Sequence, residues 1–256
     1  MKRFRAVYII WLRDLKRHFR DRARIIGSLA SPIIFIFILG QGLGSTIGAN
    51  LPVGGGTLDY KTFMFPGILG MTVLFAGVFA SVSIVWDREF GFLKEMLVAP
   101  VPSWSIAVGK VVSGATIASF QGCIMLLLAP FAGVSLSPLI IAELIPTLFL
   151  VACSMTGLGV LVASRLKSMQ GFQMIMNFIM MPMFFISGAM FPLANAPGWM
   201  DALSKIDPLT YGVDALRSIM LVGVTSRYAF STDIAVIALL SVVMVAIAVT
   251  TFSRQT

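Results

Sequence analysis

The chain has 256 residues, of which 58% are hydrophobic and only 12% are charged. Soluble globular proteins carry about 25% charged residues, so this composition excludes an ordinary water-soluble domain. The formal net charge of +8 raises the alternative of a nucleic-acid-binding protein. The basic residues, however, stand at the edges of long apolar runs, where anionic lipid headgroups are the nearer partner. The composition therefore predicts an integral membrane protein.

The first 24 residues predict an amphipathic helix. Seven apolar residues fall on one arc of a helical wheel drawn at about 100° per residue: Phe4, Val7, Tyr8, Trp11, Leu12, Leu15 and Phe19. The cations Arg13 and Arg17 lie on the opposite side, and His18, the single histidine, is expected at the surface. Such a helix lies in the membrane interface, with its aromatic residues in the headgroup boundary. Two roles stay open, a passive anchor and a lever that couples cytoplasmic motion to the first span.

Six apolar runs follow, each about as long as a helix must be to cross a hydrocarbon core of roughly 30 Å. They cover residues 25–44, 63–86, 106–134, 140–164, 172–190 and 234–252. They are too long and too uniformly apolar for the strands of a closed barrel, so the predicted fold class is all-α. Nine of the 19 basic residues precede the first run, and the positive-inside rule with six spans places both termini in the cytoplasm. The charged region and the first run are both too long for a cleaved signal peptide.

The loop between the second and third runs carries another amphipathic pattern. Its apolar ridge begins after Glu89 and has the spacing of a short helix; it consists of Phe92, Leu93, Met96 and Leu97, and Pro100 and Pro102 end it. One interpretation is a connecting loop with a turn of helix. The other is a docking helix that presents its ridge to a groove on a partner protein.

A further short helix is predicted beyond the fifth run. Asp207 before Pro208 is a helix-start signal, an N-cap residue followed by proline at the first helical position, and Gly223 is a stop signal. Asp214 and Arg217 lie one turn apart within it and are expected to pair. The helix, about residues 209–222, is too short to span, so we expect it to enter the outer leaflet and return.

The role of this region stays open between two alternatives. It is either a structural cap that holds the fifth span to the sixth or an extracellular gate closed by Phe185, Phe191 and the apolar ridge. The methionines and phenylalanines of the fifth run, residues 174–184, leave a similar choice: they line a cavity for an apolar substrate, or they belong to a lipid-facing or core helix. Cys123 and Cys153 fall inside spans and are expected to pack as apolar groups.

Residues for catalysis are missing from these patterns. The spans hold few ionisable side chains, chiefly Glu143 and Lys110, and Lys110 is expected to reach the interface. This scarcity argues against an ion-coupled carrier and an intramembrane enzyme, and no metal site is predicted. A phosphate-binding loop needs Gly-x-x-x-x-Gly-Lys-Ser/Thr. The nearest approach, around Gly109 and Lys110, has Trp104 and Val111 in place of the first glycine and the hydroxyl residue.

Two motifs resemble permeases of the ABC-2 type, as found in drug-resistance, polysaccharide and nodulation-factor exporters. The first resembles the stretch that contains the coupling helix in that family: Asp87-Arg88-Glu89, Gly91, Leu93, Leu97 to Pro102, and Gly109-Lys110. The second resembles the family's fifth span, extracellular re-entrant region and following helix: Phe185 to Gly188, Phe191-Pro192, Pro197 to Trp199, Asp207-Pro208, Tyr211, Asp214 and Arg217. Many family members carry Asn where this chain has Asp207.

The resemblance implies six transmembrane helices, an N-terminal amphipathic interfacial helix over residues 1–24, and a single transmembrane domain over residues 25–256. Within that domain it implies a cytoplasmic coupling helix at about 87–102 and extracellular re-entrant helices at about 191–223. The ATPase-docking residues would be Glu89, Phe92, Leu93, Met96 and Leu97. The gate or re-entrant residues would be Phe185, Gly188, Phe191, Pro192, Asp207, Pro208, Tyr211, Asp214 and Arg217, and the interfacial residues Trp11, Arg13 and Arg17.

The function implied is that of a permease subunit of an ATP-driven exporter in the cell inner membrane, which moves an amphipathic, lipid-linked or drug-like substrate outward. The chain would form a homodimer, or pair with a sister chain, on two ABC ATPase subunits, which would hold the ATP and magnesium. No cofactor is expected in the chain itself. Alternatives are a polysaccharide or glycolipid export permease and a non-transporting membrane anchor or sensor for a cytoplasmic ATPase.

Overall fold

In the computed structural model the chain is a helical bundle with a short β-hairpin. The structure describes residues 2–47, 51–53, 56–90, 102–193, 196–221 and 226–253. The helices are α1 Lys2–Arg20, α2 Arg22–Ile47, α3 Tyr60–Ala80, α4 Val82–Glu89, α5 Ser103–Leu126, α6 Pro138–Ala163, α7 Met169–Ile186, α8 Gly198–Ser204, α9 Pro208–Met220 and α10 Phe230–Ser253. Strands β1 (Leu51–Val53) and β2 (Gly56–Leu58) pair antiparallel, with Pro52 opposite Thr57.

Four helical segments of the described chain are long and apolar enough to cross a membrane: Tyr60–Glu89, Pro138–Ala163, Met169–Ile186 and Phe230–Thr251. They coincide with the second, fourth, fifth and sixth predicted spans. The first predicted span lies in α2, whose apolar part is the shorter stretch Ile25–Ile38. The third lies in α5, which carries Lys110 and several serine residues. The six-span count therefore stays a prediction, whereas the all-helical character of the spans is observed.

Two predicted spans end earlier than expected, and local chemistry explains both. The third was drawn to residue 134, but α5 ends at Leu126 and a 3-10 helix, Ala129–Ala132, follows. Proline at residue 130 cannot donate a backbone hydrogen bond, and Gly133 adopts a left-handed φ of 76° that ends the turn. The fifth was drawn to residue 190, but α7 ends at Ile186 because Gly188 has a φ of 75°.

Helix α3 lies at the centre of the bundle and packs against α2, α5, α6 and α9. Every residue from Phe63 to Leu74 on it is buried. Small residues allow this packing: a Cβ on Gly77 would lie 2.8 Å from the Thr156 hydroxyl of α6. Close approach of this kind stabilises helix pairs where the solvent is lipid, so the core is built around α3.

Helix α7 divides the methionines and phenylalanines of the fifth run between two faces. Phe172, Met176, Met180 and Phe184 recur every four residues and are buried. Met174 and Phe178, in contrast, are 69% and 82% exposed. Of the two alternatives, this placement favours a lipid-facing or core helix over a cavity lining, since one face of α7 belongs to the core and the other is exposed.

Candidate functional site

Helix α1 packs along α5, which gives it a third face that its two-sided pattern does not predict. Ile10, Asp14 and His18 recur every four residues and are 7%, 7% and 8% exposed. A Cβ on Gly109 of α5 would lie 3.1 Å from Ile10, so the two helices nearly touch there. The expectation that His18 is a surface residue is therefore wrong, because this face of α1 is turned into the bundle.

Polar and aromatic contacts also hold α1 against α5. Trp11 Nε1 donates a hydrogen bond of 3.1 Å to Thr116 Oγ1. Edge-to-face ring pairs join α1 to α5 near both of its ends, Phe4 with Trp104 and Phe19 with Phe120. Phe4 itself stays 76% exposed, so α1 keeps an exposed aromatic side while another face is held by α5.

A cluster of five charged side chains joins α1, α4 and α5, and we call it the charged junction: Arg13, Asp14, Arg17, Asp87 and Lys110. Lys110 Nζ lies 3.0 Å from Asp14 Oδ2 and 2.9 Å from Asp87 Oδ2. It also donates to Ser83 Oγ at 3.0 Å. Because Ser83 and Asp87 lie one turn apart on α4, a single lysine reaches both.

The expectation that Lys110 extends to the membrane interface is wrong, since its side chain is only 2% exposed. A buried ammonium group is tolerated only where opposite charges and hydrogen bonds replace its water. Here two carboxylates and one hydroxyl do so. Asp14 and Asp87 are equally enclosed, with side chains 7% and 6% exposed.

Two arginines of α1 complete the charged junction from its outer side. Arg13 donates to Asp87 Oδ2 at 3.0 Å and to Asp14 Oδ1 at 3.1 Å. Burial lowers the pKa of its guanidinium, but the neighbouring Asp14 and Asp87 raise it more, so the pKa lies above its ordinary value. Arg17 lies over the Trp86 ring, 5.2 Å from its centroid. Two of the predicted interfacial residues, Arg13 and Arg17, thus contact α4.

Arg88 connects α4 to α6. Its guanidinium donates to the carbonyl oxygens of Ser164 and Leu166, just beyond the C-terminal end of α6. A cation at this end of a helix binds carbonyl groups that have no partner within the helix. Asp87 and Arg88 therefore bind three neighbouring helices, α1, α5 and α6, at the start of the predicted docking segment.

Of the predicted docking residues, only Glu89 lies in the described chain, where it is exposed at the end of α4. Phe92, Leu93, Met96 and Leu97 lie outside the described residues. The charged junction was not predicted as a site; among its members only Lys110, a single charge within an apolar run, stood out in the sequence.

The predicted start of the short helix beyond α7 is found in the structure. The Asp207 carboxylate accepts a 2.8 Å hydrogen bond from the Leu209 backbone N–H, and α9 begins at Pro208. The helix ends at Met220, and the predicted stop at Gly223 lies outside the described residues. With 13 residues α9 is about 20 Å long, too short to cross a membrane. It packs against α3, α6 and α10 and is buried along nearly its whole length.

The expected ion pair between Asp214 and Arg217 is not formed. Asp214 instead accepts hydrogen bonds from the backbone N–H groups of Arg227 and Tyr228, at 3.1 and 2.9 Å. Arg217 donates to the Gly188 carbonyl oxygen at 2.9 Å and lies 4.2 Å from the centroid of the Phe63 ring. Each of the two charges therefore binds backbone groups from another part of the fold.

The other predicted gate residues fall into two groups. Gly188 and Tyr211 belong to the packed interior: Gly188 binds Arg217, and Tyr211 donates to the Lys205 carbonyl and stacks on Tyr228. Phe191 and Pro192 are half-buried in the segment that follows α7. Phe185, on α7, is likewise not enclosed and is 44% exposed.

The fold and the charged junction define a helical integral membrane protein with several spans, whose N-terminal helix is bonded to its spans by buried ion pairs. Comparison with known proteins gives the family. The family model described as ABC-2 type transporter matches residues 5–221, and the chain belongs to this family.

Several curated proteins are similar to the chain. Probable multidrug ABC transporter permease YbhR of Escherichia coli strain K12 is 32% identical over 171 residues, which cover 64% of this chain and 45% of that protein. Putative transport permease ycf38 of Cyanophora paradoxa is 31% identical over 163 residues, 62% of this chain and 56% of that protein. Nodulation protein J of Rhizobium leguminosarum bv. viciae is 28% identical over 201 residues, 78% of this chain and 75% of that protein. The chain thus spans about half the length of the first two.

Proposed function

We propose that the chain is the transmembrane permease subunit of an ATP-driven ABC exporter, which moves an amphipathic, lipid-linked or drug-like molecule outward. The observation that carries the proposal is the position of the charged junction. Asp87 and Arg88 bind α1, α5 and α6 at the start of the segment whose pattern predicts ATPase docking. Membership of the ABC-2 family and the name of the relative YbhR support the assignment.

The proposed mechanism follows from these contacts. An ATPase subunit pushes on the docking helix at about residues 87–102. Asp87 passes the displacement to α1 and α5 through Lys110 and Arg13, while Arg88 passes it to the end of α6. Buried ion pairs suit this task because they are directional and costly to separate. The lever role of α1, one of the two alternatives open from sequence, is thereby favoured over a passive anchor.

The proposed orientation places the charged junction in the cytoplasm and the α7–α9 region outside, with both termini cytoplasmic and the protein in the inner membrane. Nine basic residues before the first span support it. The proposed assembly is a homodimer on two ATPase subunits. The outward row of apolar residues on α7, which includes Met174 and Phe178, is a face that a second permease could cover.

Transport into vesicles tests the proposal. The chain is co-expressed with a candidate ABC ATPase from the same organism, and inside-out vesicles are supplied with a fluorescent amphiphile and ATP. We expect accumulation that needs both proteins and stops when the catalytic glutamate of the ATPase is replaced. If the ATPase binds and hydrolyses ATP but no amphiphile or glycolipid moves, the anchor or sensor function replaces transport. ATP turnover by the purified chain alone would contradict the division of labour.

A further inference from the structure

Two adjoining cavities lie beside the charged junction, the first between α1, α2, α3 and α5 and the second between α1, α3, α4, α5 and the start of α7. The first has a volume of about 250 Å³ and is walled mainly by apolar residues of α3, among them Met71, Phe75 and Ala76. The second has a volume of about 450 Å³ and is lined by charged and polar side chains of α1, together with Ser83 and Trp86. His18, Phe79, Ala80 and Ile117 line both, so the two cavities share a wall. Together they form an apolar chamber beside a polar one.

The buried side-chain amide of Gln121, which lines the apolar cavity, lacks a full set of hydrogen-bond partners. Gln121 is 2% exposed, and its Oε1 has no hydrogen-bond partner in the structure. Its Nε2 lies 3.4 Å from His18 Nε2. The oxygen and nitrogen of a glutamine amide can be exchanged in placing the side chain, but His18 meets only one end in either case. The other end is a buried polar atom that calls for a ligand group, since such atoms are rarely left unsatisfied.

Water alone is a poor occupant for the apolar cavity. One water takes up about 30 Å³ of liquid volume and needs two to four polar partners. Among the side chains that the structure describes, the polar ones that line this cavity are His18 and Gln121, which suffice for one such molecule and leave most of the cavity without a polar partner. An apolar chain can fill the remaining volume. Its burial against the surrounding methionine and phenylalanine side chains is favourable, because apolar surface is removed from water.

The charges around the polar cavity favour an uncharged ligand. Asp14, Arg17 and Asp21 line it, and Arg13, Asp87 and Lys110 bind to them or to their neighbours in the charged junction. Among the described side chains at and next to this cavity, Arg13, Arg17 and Lys110 thus balance Asp14, Asp21 and Asp87, and these groups carry no net charge that would select an ion of either sign. A hydroxyl or amide group, which both donates and accepts, suits Gln121 in either placement of its amide.

We propose that these cavities bind one molecule of an uncharged amphiphile, with its apolar chain between α2, α3 and α5 and a hydroxyl or amide group on Gln121 and His18. The site lies within a single chain, under α1. The inference concerns binding alone and does not depend on the proposed transport, so each can fail without the other.

Photolabelling of the full chain in phosphatidylcholine nanodiscs, without detergent, tests the site. The probe is dodecanol with a diazirine in its chain, and it competes against plain dodecanol, dodecyltrimethylammonium and laurate. We expect saturable labelling of peptides around residues 18, 75–79 and 117–121, displaced by dodecanol at concentrations at least about tenfold lower than by either ion. Labelling that never saturates, labelling confined to outward-facing peptides of α7 and α10, or equal displacement by the ions would each overturn the proposal.

Three variants separate ligand recognition from folding. Gln121→Leu keeps the size of the side chain but removes its hydrogen bond, and should weaken dodecanol binding about fivefold. Ala76→Phe fills the apolar cavity and should abolish saturable labelling. Gln170→Leu makes the same chemical change at an exposed position of α7 outside both cavities and should leave binding unchanged. If a cavity variant does not fold, the proposal is tested by the unmodified chain alone, through the positions that are labelled and the order in which the three competitors displace the probe.

Discussion

Lys110 and Asp87 lie 2.9 Å apart, on two different helices, with neither side chain open to solvent. Lys110→Met keeps the length of the side chain but removes its positive charge. Arg13, which is half-exposed, then remains as the cation that contacts both Asp14 and Asp87. Removing one member of a buried ion pair destabilises by about 3–5 kcal/mol. We expect the melting temperature of the purified protein to fall by roughly 10 °C.

The matched control for this variant is Lys167→Met, which removes a lysine that is exposed between α6 and α7. It should change the melting temperature little, because an exposed lysine loses almost nothing on truncation. Equal melting temperatures for Lys110→Met and the unmodified protein would show that the charged junction does not stabilise the fold.

The docking prediction is tested outside the described residues. Leu93→Asp or Met96→Asp places a charge on the apolar ridge and should abolish co-purification of the ATPase, since an apolar groove rejects an unpaired carboxylate. Lys167→Asp, on a neighbouring loop, should leave co-purification intact. Undiminished recovery of the ATPase with both ridge variants would remove the docking role.

Apolar runs predict where helices lie. In the described chain, the four helical segments that are long and apolar enough to cross a membrane coincide with four of the six predicted runs, because burial in lipid demands long apolar helices whatever their neighbours. The start of α9 was predictable for a similar reason, since the Asp207 cap and Pro208 act within one turn of backbone. The charged junction was not, because it joins residues 14, 87 and 110, which are distant in sequence.

Spacing within one helix also fails to predict which partner a charge selects. Asp214 and Arg217 are one turn apart, yet each binds backbone groups that the fold brings closer. The same limit applies to α1, where the wheel identifies an aromatic arc and a cationic arc but not the buried row of Ile10, Asp14 and His18. That row has no apolar periodicity, and only contact with α5 defines it.

The attachment of α1 to α5 can be measured with a double-mutant cycle on Trp11 and Thr116. Trp11→Phe and Thr116→Val each remove one partner of the 3.1 Å hydrogen bond, and each should lower the free energy of unfolding by about 1 kcal/mol. The double variant should be less destabilised than the sum of the two, because both changes remove the same bond. Strict additivity would mean that the bond does not form in the membrane.

The stability of the α9 region should depend on pH through Asp207. Burial raises the pKa of this carboxyl to about 7, although the Leu209 N–H and the Thr210 hydroxyl act in the opposite direction. In the unfolded chain the pKa is about 3.9, so the folded protein holds the extra proton between these values and its stability falls as pH rises from about 4 to 7. About three pH units at 1.36 kcal/mol each give a loss of order 4 kcal/mol.

Asp207→Asn isolates that effect, since asparagine caps a helix about as well as aspartate but does not titrate. The variant should melt higher than the unmodified protein at pH 8, and the difference should shrink by pH 5. Parallel melting curves across this range would show that Asp207 is ionised in the folded protein at both pH values.

Truncation of Phe191 distinguishes a gate from a structural cap. Phe191 is half-buried in the segment after α7, whereas α9 beside it is almost wholly enclosed. Because the residues that fix α9 lie elsewhere, at Asp207, Asp214 and Arg217, Phe191→Ala should leave the yield of folded protein unchanged and alter the rate of amphiphile transport.

The matched control is Phe230→Ala, which truncates a half-exposed phenylalanine at the start of α10 and should leave transport unaltered. If Phe191→Ala instead gives aggregated protein and Phe230→Ala does not, the segment after α7 acts as a cap, because its aromatic ring would then be needed for packing.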